Sequence, residues 1–156
     1  MALGPVGQIH ISVTDIDTSV AFYRDVLGIP LMFQVPNMPM AFFASGDVRL
    51  YLGVPESPEF RSKTVLYFTV ADIDVEYERL RDEHGLSFTG EPHVVHRDAS
   101  GELWMTFTRD PDDHWIGLMA AAATVVTTSF RRSYHPRLRC QCLAAGPHSV
   151  RGRASC

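Results

Sequence analysis

The chain lacks any apolar run approaching the roughly 20 residues that cross a bilayer as a helix, which argues against a membrane protein. Its first residues, MALGPVGQIH, lack the basic start and apolar stretch of a secretory signal, so the expected location is cytoplasmic. Cysteine is scarce: Cys140, Cys142 and Cys156 are all there is, and all lie near the C-terminus. No thiol can therefore act as nucleophile or ligand in the rest of the chain unless that tail folds back. No G-x-G-x-x-G or Walker sequence is present, which removes the common phosphate-cradling motifs. Acids are missing from the tail as well. All 18 Asp and Glu precede Ala120, against eight Lys and Arg there, a balance of −10; residues 121–156 carry six Arg and no acid, a balance of +6. An acidic body argues against a nucleic-acid surface on it.

What remains is 46% hydrophobic and 21% charged, the composition of a globular domain. It contains an internal repeat. IHISVTDIDTSVAFYRDVLG (9–28) aligns with LYFTVADIDVEYERLRDEHG (66–85) at an offset of 57, with seven identities in twenty positions. Each copy opens with period-two alternation, Ile9, Ile11 and Val13 in one and Leu66, Phe68 and Val70 in the other, which predicts a strand. A helical face follows: Ile16, Val20, Tyr23 and Leu27, repeated by Ile73, Tyr77 and Leu80. Asp15 and Asp72 are suited to cap these helices, and Gly28 and Gly85 to end them. Short β runs separated by Gly, Asp and Pro clusters complete each unit.

These signals predict an α+β fold of two βαβββ modules, residues 1–54 and 64–120, joined by a linker over 55–63. Two such modules form a curved mixed sheet around a cup-shaped cavity. The tail, 121–156, has the composition of a disordered segment, and its Cys140-x-Cys142 with His135 and His148 fits no common zinc module. Alternation assigns side chains to the cup. If Ile9 and Ile11 meet the helix, then His10 and Ser12 face the cup, with Arg49 and Tyr51 from the last strand of the first module. Tyr67 and Thr69 follow in the second module, with Trp115, Gly117 and Met119. One of Phe42 and Phe43 enters, and so do either Trp104, Thr106 and Thr108 or their neighbours.

The segments IHISVTDIDTSVAFYRDVLG, VLYFTVADID and FTRDPDDHWIGLM together resemble the vicinal oxygen chelate superfamily, which includes glyoxalase I, extradiol dioxygenases and the fosfomycin and bleomycin resistance proteins. The last is similar to that family's F-x-DPDGN-x-x-E-L. The resemblance covers about residues 7–120. It implies paired βαβββ modules, one cavity and often a dimer. In metal-binding members the ligands come from the first and last strands of each module, which by position are His10, Tyr51, Tyr67 and Gly117. Only His10 is a common ligand, whereas a divalent site usually needs about three. The pattern resembles the bleomycin resistance branch, where a drug is bound without a metal.

The residues thus suggest a metal-free protein that sequesters a small planar or aromatic compound and works as a homodimer, with no membrane or nucleic-acid partner. Tyr51, Tyr67 and Trp115 either stack on the ligand or fill the cup themselves. Gly117 would let a flat ring approach the backbone. Met32, Met38, Met40, Met105 and Met119 offer adaptable walls, and Arg49 could pair with a ligand anion. The alternative is a metal-dependent lyase, isomerase or dioxygenase in which His10 joins His93, Glu102 or His114 on Mn, Fe, Ni or Zn.

Overall fold

A computed structural model describes residues 3–123. The disorder expected of the tail and its Cys and His residues therefore falls, from residue 124 on, outside the described residues. The element order is β1 (Gln8–Ser12), α1 (Ile16–Ala21), β2 (Leu31–Gln34), β3 (Met40–Ser45) and β4 (Val48–Gly53), then β5 (Val65–Thr69), α2 (Ile73–Glu78), β6 (His93–Asp98), β7 (Gly101–Arg109) and β8 (Trp115–Ala123). The two halves form four-stranded mixed sheets of matching topology, β1-β4-β3-β2 and β5-β8-β7-β6. In each, the first strand pairs in parallel with the last, and the other pairs are antiparallel. The last strand runs three residues past the expected boundary at 120, because Ala121, Ala122 and Ala123 still pair with β7.

The helices begin and end as their sequences dictate. The Asp15 carboxylate accepts the Thr18 amide at 2.7 Å, and Asp72 accepts from Asp74 and Val75, each at 3.1 Å. Both helices then widen into a π-helical turn, Phe22–Val26 after α1 and Arg79–Glu83 after α2. Gly28 and Gly85 take the left-handed conformation, φ +70° and +68°, which a side chain would disfavour. The chain then folds back so that the Ile29 amide reaches the Tyr23 carbonyl at 2.9 Å and Leu86 reaches Leu80 at 3.1 Å.

The helix sides of the two sheets share one core. Ile11, Val13, Val20, Tyr23, Phe43, Leu50 and Leu52 of the first module pack in one cluster with Leu66 and Ile116 of the second. A smaller cluster of Ile73, Leu80, Leu118 and Ala120 lies under α2 and borrows Val26 and Leu27 from the first module. Trp104 packs against this smaller cluster. Its candidate role as a cup-facing residue is corrected: it pairs across β8 with Ala120, on the helix side, together with Thr106 and Thr108. Those threonines are buried and donate to the Gly90 and Ser87 carbonyls at 2.7 and 2.8 Å.

A polar seam joins the modules. It is built by the turn Asp110-Pro111-Asp112-Asp113-His114, whose residues reach across to β1 and α1. Tyr23 Oη donates to Asp110 Oδ2 at 2.9 Å, and the other Asp110 oxygen accepts the Asp112 and His114 amides at 3.0 and 2.8 Å. Asp112 accepts the Thr14 amide at 2.7 Å, the Thr14 hydroxyl at 2.6 Å and the Ser19 hydroxyl at 3.0 Å. His114, at the end of that turn, is buried. Its Nδ1 accepts the Thr64 amide at 3.1 Å, which leaves the proton on Nε2 to be donated to the Ser12 carbonyl at 2.7 Å. Asp113 sits at the sharpest point of the turn with φ +65°, where the family string has glycine.

Candidate functional site

Strand register places most of the candidate residues on the two open sheet faces. On the first, His10, Tyr51 and Phe42 occupy one cross-strand row, extended to β2 by Phe33. Their rings form an unbroken stack: His10 to Tyr51 at 4.7 Å, Tyr51 to Phe42 at 4.9 Å and nearly parallel, Phe42 to Phe33 at 4.7 Å. Phe42, not Phe43, is the one that faces outward from the core; Phe43 is fully buried. Phe33 was not among the sequence candidates. A register shift between Leu31 and Phe33 puts it on this face, and simple alternation could not have found it. Arg49 lies on the same face with its guanidinium 5.8 Å from the Phe42 ring.

Beside the stack is a cavity of about 470 Å³ whose walls include His10, Tyr51, Met38, Met40, Glu56 and Phe60. Glu56 and Phe60 come from the linker. Ser12, expected to face a ligand, is instead covered by that linker. Its hydroxyl donates to the Phe60 carbonyl at 2.9 Å and accepts the Ser62 amide at 2.7 Å.

On the second sheet the corresponding row is Tyr67, Gly117 and Phe107. The space left by the missing Gly117 side chain is already filled. A β-carbon there would lie 2.8 Å from Tyr67 Cδ1 and 3.0 Å from Phe107 Cε1. The expectation that Gly117 admits a ligand ring is thus corrected, since the ring it admits is Tyr67. Tyr67 meets Phe107 edge-on at 5.8 Å, and Phe107 meets Trp115 edge-on at 6.3 Å. Arg109 caps Trp115, with its guanidinium 3.5 Å from the ring centre. These rings, with Val65 and Thr89, line a second cavity of about 300 Å³. Thr69 and Met119 pair one step further along the same face. The two cavities have no lining residue in common, so His10 and Tyr51 belong to one and Tyr67 to the other.

A metal does not fit the residues at these positions. Tyr51 lies over Gly53, with its hydroxyl 2.9 Å from where a β-carbon would be, and its ring stacks on His10. Gly117 offers no donor atom, and among the described residues no three His, Cys, Asp or Glu side chains come together. The alternative ligands are engaged elsewhere. His114 has both ring nitrogens hydrogen-bonded. Glu102 accepts from Arg97 at 2.6 Å and from the Trp104 indole at 3.1 Å. His93 Nδ1 lies 3.1 Å from the Glu91 carbonyl.

The paired modules and their shared topology agree with comparison to known proteins. Residues 6–124 match the family model of the Glyoxalase/Bleomycin resistance protein/Dioxygenase superfamily. The chain belongs to that superfamily. It is 31% identical over 122 residues to the uncharacterized protein YraH of Bacillus subtilis, covering 70% of this chain and 92% of that one. A superfamily member from Sphaerobacter thermophilus superposes with a TM-score of 0.61 at 26% identity, covering 76% of this chain and 98% of the other. TnmS3, an antibiotic binding protein from Streptomyces sp. CB03234, superposes with a TM-score of 0.61 at 25% identity, covering 78% and 99%. No helix among the described residues of this superfamily member is long and apolar enough to cross a membrane.

Proposed function

We propose that this protein binds a small planar or aromatic compound without a metal and sequesters it in the cytoplasm rather than converting it. The observation that carries this reading is the stack running through His10, Tyr51, Phe42 and Phe33 beside a cavity of about 470 Å³. A ring laid on such a row gains about 0.5–1.5 kcal/mol per aromatic contact beyond its area burial. The similarity to TnmS3, described as antibiotic binding, is in keeping with it. The working form is a homodimer. Met32, Phe33, Val65 and Tyr67 are roughly half exposed, and Phe60 more so. An apolar surface of this kind calls for a covering partner. A second copy that sets the first module's row against the second module's would close both cavities around one ligand.

Native mass spectrometry of freshly purified full-length protein tests this. The expected result is a metal-free dimer that takes up a polycyclic aromatic probe such as anthraquinone, with uptake lost in Tyr51→Ala. A stoichiometric Mn, Fe, Ni or Zn that disappears on His10→Ala would overturn the proposal in favour of metal-dependent chemistry.

A further inference from the structure

We infer that the ligand of the first module's cavity carries a positive charge on its flat apolar body. This specifies the ligand class of the site proposed above and rests on that reading. Among the described residues Glu56 is the one carboxylate lining the cavity, and no Lys or Arg lines it. Among the described residues no cation pairs with Glu56, so its charge is available to a ligand. The rest of the wall suits a cation as well. Phe60 and the His10 ring add aromatic surface at the wall, Tyr51 adds its ring edge because its faces are taken by His10 and Phe42, and Met38 and Met40 add polarizable sulfur.

Outside the cavity the protein's own guanidinium groups already lie over aromatic rings. Arg49 lies over Phe42, the next ring of the same stack, at 5.8 Å. Arg109 lies over Trp115 at 3.5 Å and Arg81 over Tyr77 at 4.9 Å. The long-range field acts in the same direction. The 18 acids of the body exceed its eight Lys and Arg by ten, which draws cations toward it and repels anions. Charge also separates the two cavities, since the second has Arg109 over Trp115 at its wall and no acid among its lining residues.

Three tricyclic probes of similar size test the inference on the full chain: proflavine, a cation; acridone, neutral; and anthracene-9-carboxylate, an anion. Fluorescence titration at low salt should show proflavine binding at least about tenfold more tightly than the anion. Glu56→Gln should weaken proflavine by about two- to fivefold, as expected of an exposed carboxylate, affect acridone far less and make the proflavine affinity less salt-dependent. Tyr51→Leu should weaken all three together. The Arg-rich tail is present in every variant, so its effect cancels when one probe is compared between parent and variant, and in the comparison between probes it works against the expected preference for the cation. Equal or tighter binding of the anion, or proflavine binding untouched by Glu56→Gln, would overturn the charge inference while leaving the cavity reading standing. Failure of all three probes to bind would bring down both.

Discussion

The two modules solve the same geometric problem with opposite distributions of bulk. In the first, the last strand carries the large ring, Tyr51, and the first strand the smaller His10; the two stack and pass the contact on to Phe42. In the second, the first strand carries the large ring, Tyr67, and the last strand has no side chain at the paired position, so Tyr67 lies down over Gly117 and meets Phe107 edge-on. The first row, with Tyr51 and Phe42 nearly parallel and His10 and Phe33 tilted at its ends, borders an open cavity, whereas the edge-on rings of the second fill the space over Gly117. The same topology has thus produced one face suited to receive a flat molecule and one that packs against itself. The cores differ in a matching way. The first module supplies most of the large fully buried side chains, Tyr23, Phe43, Ile11 and Leu52 among them, and the second leans on that core through Leu66 and Ile116.

If the modules depend on each other through the seam, removing its central carboxylate should cost most. Asp110→Ala strands the Tyr23 hydroxyl and two amides in a buried setting, at about 1–3 kcal/mol per group. A total loss of about 3–5 kcal/mol is expected in denaturant unfolding, and an unchanged midpoint would show the seam to be dispensable. Tyr23→Phe should cost less, about 1–3 kcal/mol, and should also change the response to alkali. Burial, and then the Asp110 charge, push the Tyr23 phenol well above its ordinary value. A group whose folded value is raised stabilises the fold fully below its unfolded value, about 10, and loses that contribution as pH rises toward the folded one. Stability of the parent protein should therefore begin to fall above about pH 10 more steeply than that of Tyr23→Phe; parallel pH profiles would refute the assignment.

The contrast between the open faces can be probed by filling the two glycines. An added methyl at Gly53 would meet the Tyr51 ring at 2.9 Å, and Tyr51 is half buried within its stack. At Gly117 it would meet Tyr67 at 2.8 Å, but Tyr67 is 51% exposed and free to swing outward. Gly53→Ala should thus cost about 1–3 kcal/mol as overpacking, and Gly117→Ala less than about 1 kcal/mol. A reversed order of melting temperatures would show that the second face, not the first, is the rigid one. The smallest effect concerns the β6–β7 turn of the second module. The Ser100 hydroxyl and amide hold the Asp98 carboxyl down to about 2. Its contribution is present above the unfolded value near 4 and is lost as pH falls through about 2. An NMR titration of Asp98 with a midpoint near 4 would dismiss that turn.

The fold was readable because the strands next to each helix keep strict period-two alternation and the repeat carries its own caps. The same alternation put His10, Arg49, Tyr51, Tyr67, Trp115 and Gly117 on the open faces. On β7 it leaves two registers open, because ELWMTFT has large side chains on both faces, and the structure selects the one in which Phe107 faces outward and Trp104 lies on the helix side. Alternation failed on β2 because a register shift redirects Phe33. The seam was illegible for another reason: its partners lie 87 to 102 residues apart, and no local pattern announces such contacts.

One backbone irregularity reaches further than its size suggests. The wide turn that follows each helix occupies residues 22–26 and 79–83, the same places once the offset of 57 is removed. An extra residue in a helix is costly to gain and shifts the phase of everything after it. Its presence in both halves is most simply explained by a single ancestral unit that already had it before the gene doubled. Since then thirteen of the twenty aligned side chains have diverged. The shape of the chain at that corner has outlived most of the chemistry around it.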